Sequence, residues 1–111
     1  MIEIIVMDYL RDKLGIPVYT EEPSEKNDSY IVIEKTSGGI SNHIESATLA
    51  IKSYGKTMYE AAILNEKMKD AINDITDLDS VSSAKLNSDY NYTDTARKKY
   101  RYQAVFDFVY F

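Results

Sequence analysis

The last stretch of the chain, residues 99–111 (KYRYQAVFDFVYF), alternates two kinds of chemistry. Tyr100, Tyr102, Ala104, Phe106, Phe108 and Tyr110 fall on one side of an extended backbone, and Arg101, Gln103, Val105, Asp107 and Val109 fall on the other. A period of two, rich in aromatic and β-branched residues and free of Gly and Pro, predicts a β-strand with one dry face. A helix would scatter the same six side chains around its whole circumference. At about 3.3 Å per residue the strand is roughly 43 Å long, whereas a domain of this size has a radius of gyration of about 13 Å. Such a strand either bends at a bulge or overhangs the body of the fold, and an overhanging strand needs a partner.

The remaining elements follow from period and punctuation. Ile2, Ile5, Val6, Tyr9, Leu10 and Leu14 recur at helical spacing and are closed by Gly15 and Pro17. This predicts a first amphipathic helix, although its β-branched start also suits a strand. Residues 18–20 read as a short strand, 21–29 as a polar loop around Pro23, and 30–36 as a longer strand. Ser37, Gly38 and Gly39 read as a turn that residues 40–42 extend into a flexible loop beside His43. Residues 43–54 alternate Ala47, Leu49 and Ile51 with polar neighbours, giving a second long strand closed by Gly55 and a hairpin with a Gly-rich tip. Thr57 and Glu60 have the spacing of a capping box. Ala61, Leu64, Met68, Ala71, Ile72 and Ile75 then mark a helix over 58–75, whose small Ala61 and Ala62 let it approach a sheet closely. Residues 81–92 form a strand with Ala84, Leu86, Ser88, Tyr90 and Tyr92 in register, and 93–98 a wide connector. The order α-β-β-β-α-β-β implies one α+β domain over 1–111, a mainly antiparallel sheet with both helices on one face.

Composition narrows the function classes. The chain has 111 residues, no Cys and a net charge of −5. Disulfides and thiolate metal sites are therefore excluded, and a general nucleic-acid binder is disfavoured because neutralising phosphate takes surplus Lys and Arg. No apolar run reaches the ~20 residues of a membrane span, and the first residues lack a signal-peptide pattern, so an intracellular protein is expected. Ten of the thirteen aromatic residues are Tyr and none is Trp. Tyr serves β-strands well and is also enriched at protein–protein contacts, where its ring is apolar and its hydroxyl tolerates water.

Few residues look catalytic. His43 is the only histidine and lacks a nucleophile and an orienting group nearby in sequence. Asp74, Asp77 and Asp79 do not fit the Gly and Glu spacing of a calcium loop and read as a helix-ending acidic turn. Gly38-Gly39 lacks the Lys-Ser/Thr ending of a phosphate loop. No metal or cofactor is expected, and no enzymatic activity. The basic run Arg97, Lys98, Lys99 and Arg101, interleaved with Tyr100 and Tyr102, has the character of a single-strand nucleic-acid grip but no Gly among its aromatics. Acidic patches lie elsewhere, at Glu21, Glu22, Glu25 and Asp28 and along residues 60–79. A basic corner with separate acidic patches suits head-to-tail contact between copies, which closes into a ring when the rotation allows.

Three stretches carry a resemblance. They are Tyr30-Ile31-Val32-Ile33-Glu34 followed by Gly38-Gly39; Ser53-Tyr54-Gly55-Lys56-Thr57 leading into Ala61-Ala62; and Tyr90-Asn91-Tyr92-Thr93-Asp94 with Tyr100-Arg101-Tyr102-Gln103-Ala104. In this layout the chain resembles the small tail-completion, or tail-terminator, proteins of long-tailed bacteriophages of Gram-positive hosts, also described as minor capsid proteins. The resemblance implies a structural protein of the virion, assembled in the bacterial cytoplasm. Such proteins form a homohexameric ring that caps the tail tube, meeting the tube protein on one side and the head connector on the other. On that reading Ser37, Gly38, Gly39, His43, Tyr90, Tyr92, Arg97, Lys98, Lys99 and Arg101 are the candidate assembly interface, placed there by loop length and flexibility. Two other readings are a small binding module that uses the 97–102 cluster for nucleic acid or for another phage protein, and an enzyme whose carboxylates act with a metal, which predicts a concave pocket with several convergent acids.

Overall fold

The computed structural model describes residues 1–24 and 27–111; of the loop predicted over 21–29, residues 25 and 26 lie outside the described residues. Its elements are helix α1 (Ile2–Leu14), strands β1 (Val18–Tyr19), β2 (Tyr30–Ser41) and β3 (Ile44–Gly55), helix α2 (Met58–Asn73), a 3-10 turn (Ile75–Asp77), and strands β4 (Val81–Asn91) and β5 (Tyr100–Tyr110). The sheet runs β1-β2-β3-β5-β4, antiparallel throughout except for the short parallel pair β1–β2. This is the α+β order that the sequence predicts.

The alternation of β5 is resolved by its place in the sheet. It lies between β3 and β4, paired along its full length with β3 and from Tyr102 to Tyr110 with β4. Ala104, Phe106, Phe108 and Tyr110 are buried beneath the helices. They pack with Ile31, Ile33, Leu49 and Ile51 of the sheet, Ile2, Val6 and Leu10 of α1, and Leu64, Met68 and Ile72 of α2. Removing a side chain such as Phe108 from water contributes about 2–3 kcal/mol. The long strand neither bends nor overhangs. The molecule is 45 × 25 × 24 Å, with a radius of gyration of 13.7 Å.

The helix boundaries follow local chemistry. Gly15 takes the left-handed conformation (φ 64°) that ends a helix, and its N–H donates to the Arg11 carbonyl at 2.9 Å. At the start of α2 the Glu60 N–H donates to Thr57 Oγ1 at 3.1 Å. The Glu60 carboxylate accepts from the Lys56 N–H at 3.2 Å rather than from Thr57, so the reciprocal half of the capping box is displaced by one residue. The helix ends at Asn73 rather than 75, because residues 75–77 tighten into the 3-10 turn. Ala61 is fully buried against Gly55, where an added Cβ would lie 2.5 Å from the Ala61 backbone nitrogen.

Two expectations are overturned. Ser37, Gly38 and Gly39 are not a turn, and residues 40 and 41 are not a loop; all five belong to β2, paired with residues 44–48 of β3. The actual turn is Asn42-His43, both with positive φ (50° and 65°), a two-residue reversal whose twist suits a hairpin. The Gly-Gly pair misleads because cross-strand pairing holds an extended backbone that glycine alone would not favour. The second correction concerns β4. An extra residue, Asn87, shifts its register between Leu86 and Ser88. Ala84 and Leu86 therefore lie on the helix side, opposite Phe108 and Phe106, while Tyr90, opposite Gln103, lies on the other side. Thr36 makes the matching shift in β2, opposite the same level of the sheet, since Lys35 pairs with Leu49 and Leu49 with Phe106.

Candidate functional site

Two regions stand out on the surface, one at each end of the β2–β3 hairpin. At one end, the face turned away from the helices carries a layer of tyrosines. Tyr30 at the start of β2 and Tyr54 near the end of β3 are cross-strand partners, and their rings stack at 4.4 Å with 10° between planes. Tyr19 meets Tyr30 edge-on at 6.1 Å. Arg101 lies over both neighbours, 4.7 Å from the Tyr92 ring and 5.7 Å from that of Tyr54. Its guanidinium also donates to the Tyr92 carbonyl (2.8 Å) and the Tyr54 hydroxyl (3.3 Å). Tyr90 and Tyr92 meet edge-on at 5.9 Å, and Tyr90 OH accepts from the Gln103 amide.

A carboxylate is clamped into this layer. Tyr30 OH donates to one oxygen of Glu22 at 2.8 Å and Tyr54 OH to the other at 2.9 Å, while Lys99 Nζ approaches at 3.3 Å. Burial alone would raise the Glu22 pKa, but these hydrogen bonds outweigh it and hold the carboxyl below its usual range. Burial, reinforced by the bond to Glu22, pushes the Tyr54 hydroxyl up to about 12 and raises Tyr30 likewise.

The other region is the distal half of the β2–β3 hairpin. All of β2 from Glu34 to Ser41 is exposed, and Ile40 is 72% exposed on the helix side. β1 covers the outer edge of β2 only at Ile31 and Val32. On the opposite margin of the sheet β4 is also an edge strand, with Leu86 half exposed on the helix side.

The candidate residues therefore divide. Tyr90, Tyr92, Lys99 and Arg101 come together in the tyrosine layer. Ser37, Gly38, Gly39 and His43 lie towards the far end of the hairpin, six or more residues along β3 from Tyr54 and about 20–35 Å away. Arg97 pairs loosely with Asp94 (3.8 Å), Lys99 with Glu22 and Arg101 with the tyrosines, so three of the four cations of the basic run have partners within the chain. Glu22, Tyr30, Tyr54 and Ile40 are prominent in the structure and are not among the interface residues that the sequence suggests. Tyr30 and Tyr54 stand at the two open ends of a hairpin, so only the register makes them neighbours. Among the described residues no group of three or more His, Asp or Glu side chains is placed to hold a metal ion. The chain matches no family model and no curated protein sequence.

Proposed function

We propose that the protein is a structural, ring-forming subunit that caps the tail tube at the head–tail junction of a long-tailed phage, as the resemblance to tail-terminator proteins implies. One observation supports self-association: two-thirds of β2, residues 34–41, is uncovered on both faces and unpaired along its outer edge. A strand end exposed on three sides gains little from its own fold and offers backbone donors and acceptors to another chain. The opposite margin of the sheet fits that role. β2 and β4 run antiparallel across the sheet, so a second copy laid alongside in the same orientation brings its β4 antiparallel to the first copy's β2, with all helices on one side. The contact joins two different surfaces and therefore propagates, closing into a ring when each step adds a rotation. The hexameric count and the phage setting come from the resemblance.

The test is the solution mass by light scattering over a wide concentration range. The expected result is a rise from the monomer's 12.7 kDa to about six times that mass, with rings visible by electron microscopy. Ile40→Lys, which places a charge on the uncovered strand, should hold the chain at the monomer mass without lowering its Tm. A mass that stays monomeric into the millimolar range, or an Ile40→Lys variant that assembles like the parent, overturns the proposal.

A further inference from the structure

The clamp around Glu22 is built on the sheet, and its occupant is not. Tyr30, Tyr54 and Lys99 belong to β2, β3 and the bridge that opens β5, three segments tied together by pairing. The two stacked rings hold their hydroxyls side by side, one for each oxygen of a carboxylate. Arg101 donates to the Tyr54 hydroxyl from behind and orients it. Glu22, in contrast, lies in an aperiodic segment whose neighbours Thr20, Glu21 and Ser24 are exposed. Beside the clamp is a cleft of about 250 Å³ that shares Tyr30, Tyr54 and Lys99 with it, and Lys56, Arg97 and Lys98 line its rim with Asp28. Lys56 is paired to Asp28 at 3.2 Å, which leaves the rim with a positive balance.

We infer that this is a carboxylate-binding site in which Glu22 is the resident occupant, and that an acidic side chain of a partner chain can take its place through the cationic cleft. Two neutral donors and one cation recognise a single carboxylate in a bidentate manner. The same groups have no preference for the chain to which that carboxylate is attached. Displacement costs the resident contact and releases residues 20–24, so the site couples acidic-partner binding to freeing of that segment. The proposal does not depend on the ring: an open-edged sheet can assemble with the clamp closed, and the clamp can exchange in a monomer.

The experiment uses Glu22→Gly, which empties the clamp, and two probes, acetate and the capped peptide TEEPS corresponding to residues 20–24. Binding is followed by the chemical shifts of the Tyr30, Tyr54 and Lys99 amides. The expected result is saturable binding, on the order of 10 mM for acetate, with the peptide competing for the same resonances. Adding Tyr54→Phe should weaken both about tenfold or more, the usual effect of losing a charge-assisted hydrogen bond. Shifts no larger than those given by chloride at equal ionic strength, or shifts unaffected by Tyr54→Phe, overturn the proposal. The unmodified chain provides the second measurement. Amide exchange at residues 20–24 should be faster in concentrated acetate than in matched chloride, and equal rates overturn the proposal even if Glu22→Gly does not fold.

Discussion

β5 and β2 are nearly equal in length, yet they are held in opposite ways. β5 is paired on both edges, and its apolar face is sealed by two helices. β2 begins with four buried residues and ends with eight exposed ones. One strand owes its conformation to a core, whereas the exposed part of the other owes it to a single neighbour, β3. The contrast teaches that strand length in this chain is not set by the core: the sheet extends past the region that the helices cover. What lies beyond the helices can serve contact rather than stability.

The largest test of that contrast is truncation on each strand. Phe108→Ala should cost about 3–5 kcal/mol, since a fully buried ring leaves a cavity, and thermal unfolding should register it as a drop of roughly 12 °C or more. Ile40→Ala should shift the monomer by less than about 0.5 kcal/mol. Comparable losses at both positions would mean that the arm is covered in the free chain. Glycine provides the next test. Gly55→Ala would place its Cβ 2.5 Å from the Ala61 nitrogen and 2.9 Å from the Glu60 carbonyl carbon, backbone that cannot move aside without shifting α2. A loss of about 1–3 kcal/mol is expected in denaturant titration. Gly39→Ala, with nothing nearer than Ser46 Oγ at 3.9 Å, should stay within about 0.5 kcal/mol of the parent or stabilise the strand slightly.

A smaller effect separates the tyrosine layer from both. Tyr30 and Tyr54 hold their protons more tightly folded than unfolded, facing Glu22, Lys99 and Arg101. Their contribution is complete below the unfolded tyrosine pKa of about 10 and is lost as pH rises towards about 12. Stability measured by urea unfolding should therefore fall over that window, and Tyr54→Phe should flatten the decline. A parent curve as flat as the variant's would show that the hydroxyls ionise freely. A small gain is expected at the turn: His43→Gly removes a side chain from a left-handed position (φ 65°) and should stabilise by up to about 1 kcal/mol. A loss instead would mean that the imidazole makes a contact that outweighs the strain.

The parts of the fold legible in the sequence are those whose pattern is set by one buried face. α1, α2 and β5 have clean periods because each presents a single side to the core. The exposed arm has no such pattern, so its glycines read as a turn, and the true reversal at Asn42-His43 lacks the Gly that would have announced it. The candidate site was half legible. Tyr90, Tyr92 and the basic run stand out by composition, whereas the Glu22 clamp joins residues 8, 32 and 77 positions apart, and nothing local marks a glutamate in an acidic loop as a ligand.

The extra residue Asn87 carries one more consequence. Between a first shift at Ser82, which follows the buried Val81, and Asn87, even-numbered positions of β4 face the helices; after Asn87, odd-numbered ones do, which sends Tyr90 away from them and brings Asp89 toward Asn65 and Lys69 of α2. The Asn87 side chain holds the irregularity in place by donating to Asp107 at 3.0 Å. Deleting that one residue would reverse the parity of everything downstream to the connector. Tyr90 would be driven under α2, and Asp89 would lose both partners and move into the tyrosine layer. This inserted residue thus decides, by counting alone, which chemistry the second part of the strand shows to the helices and which it shows to the open face.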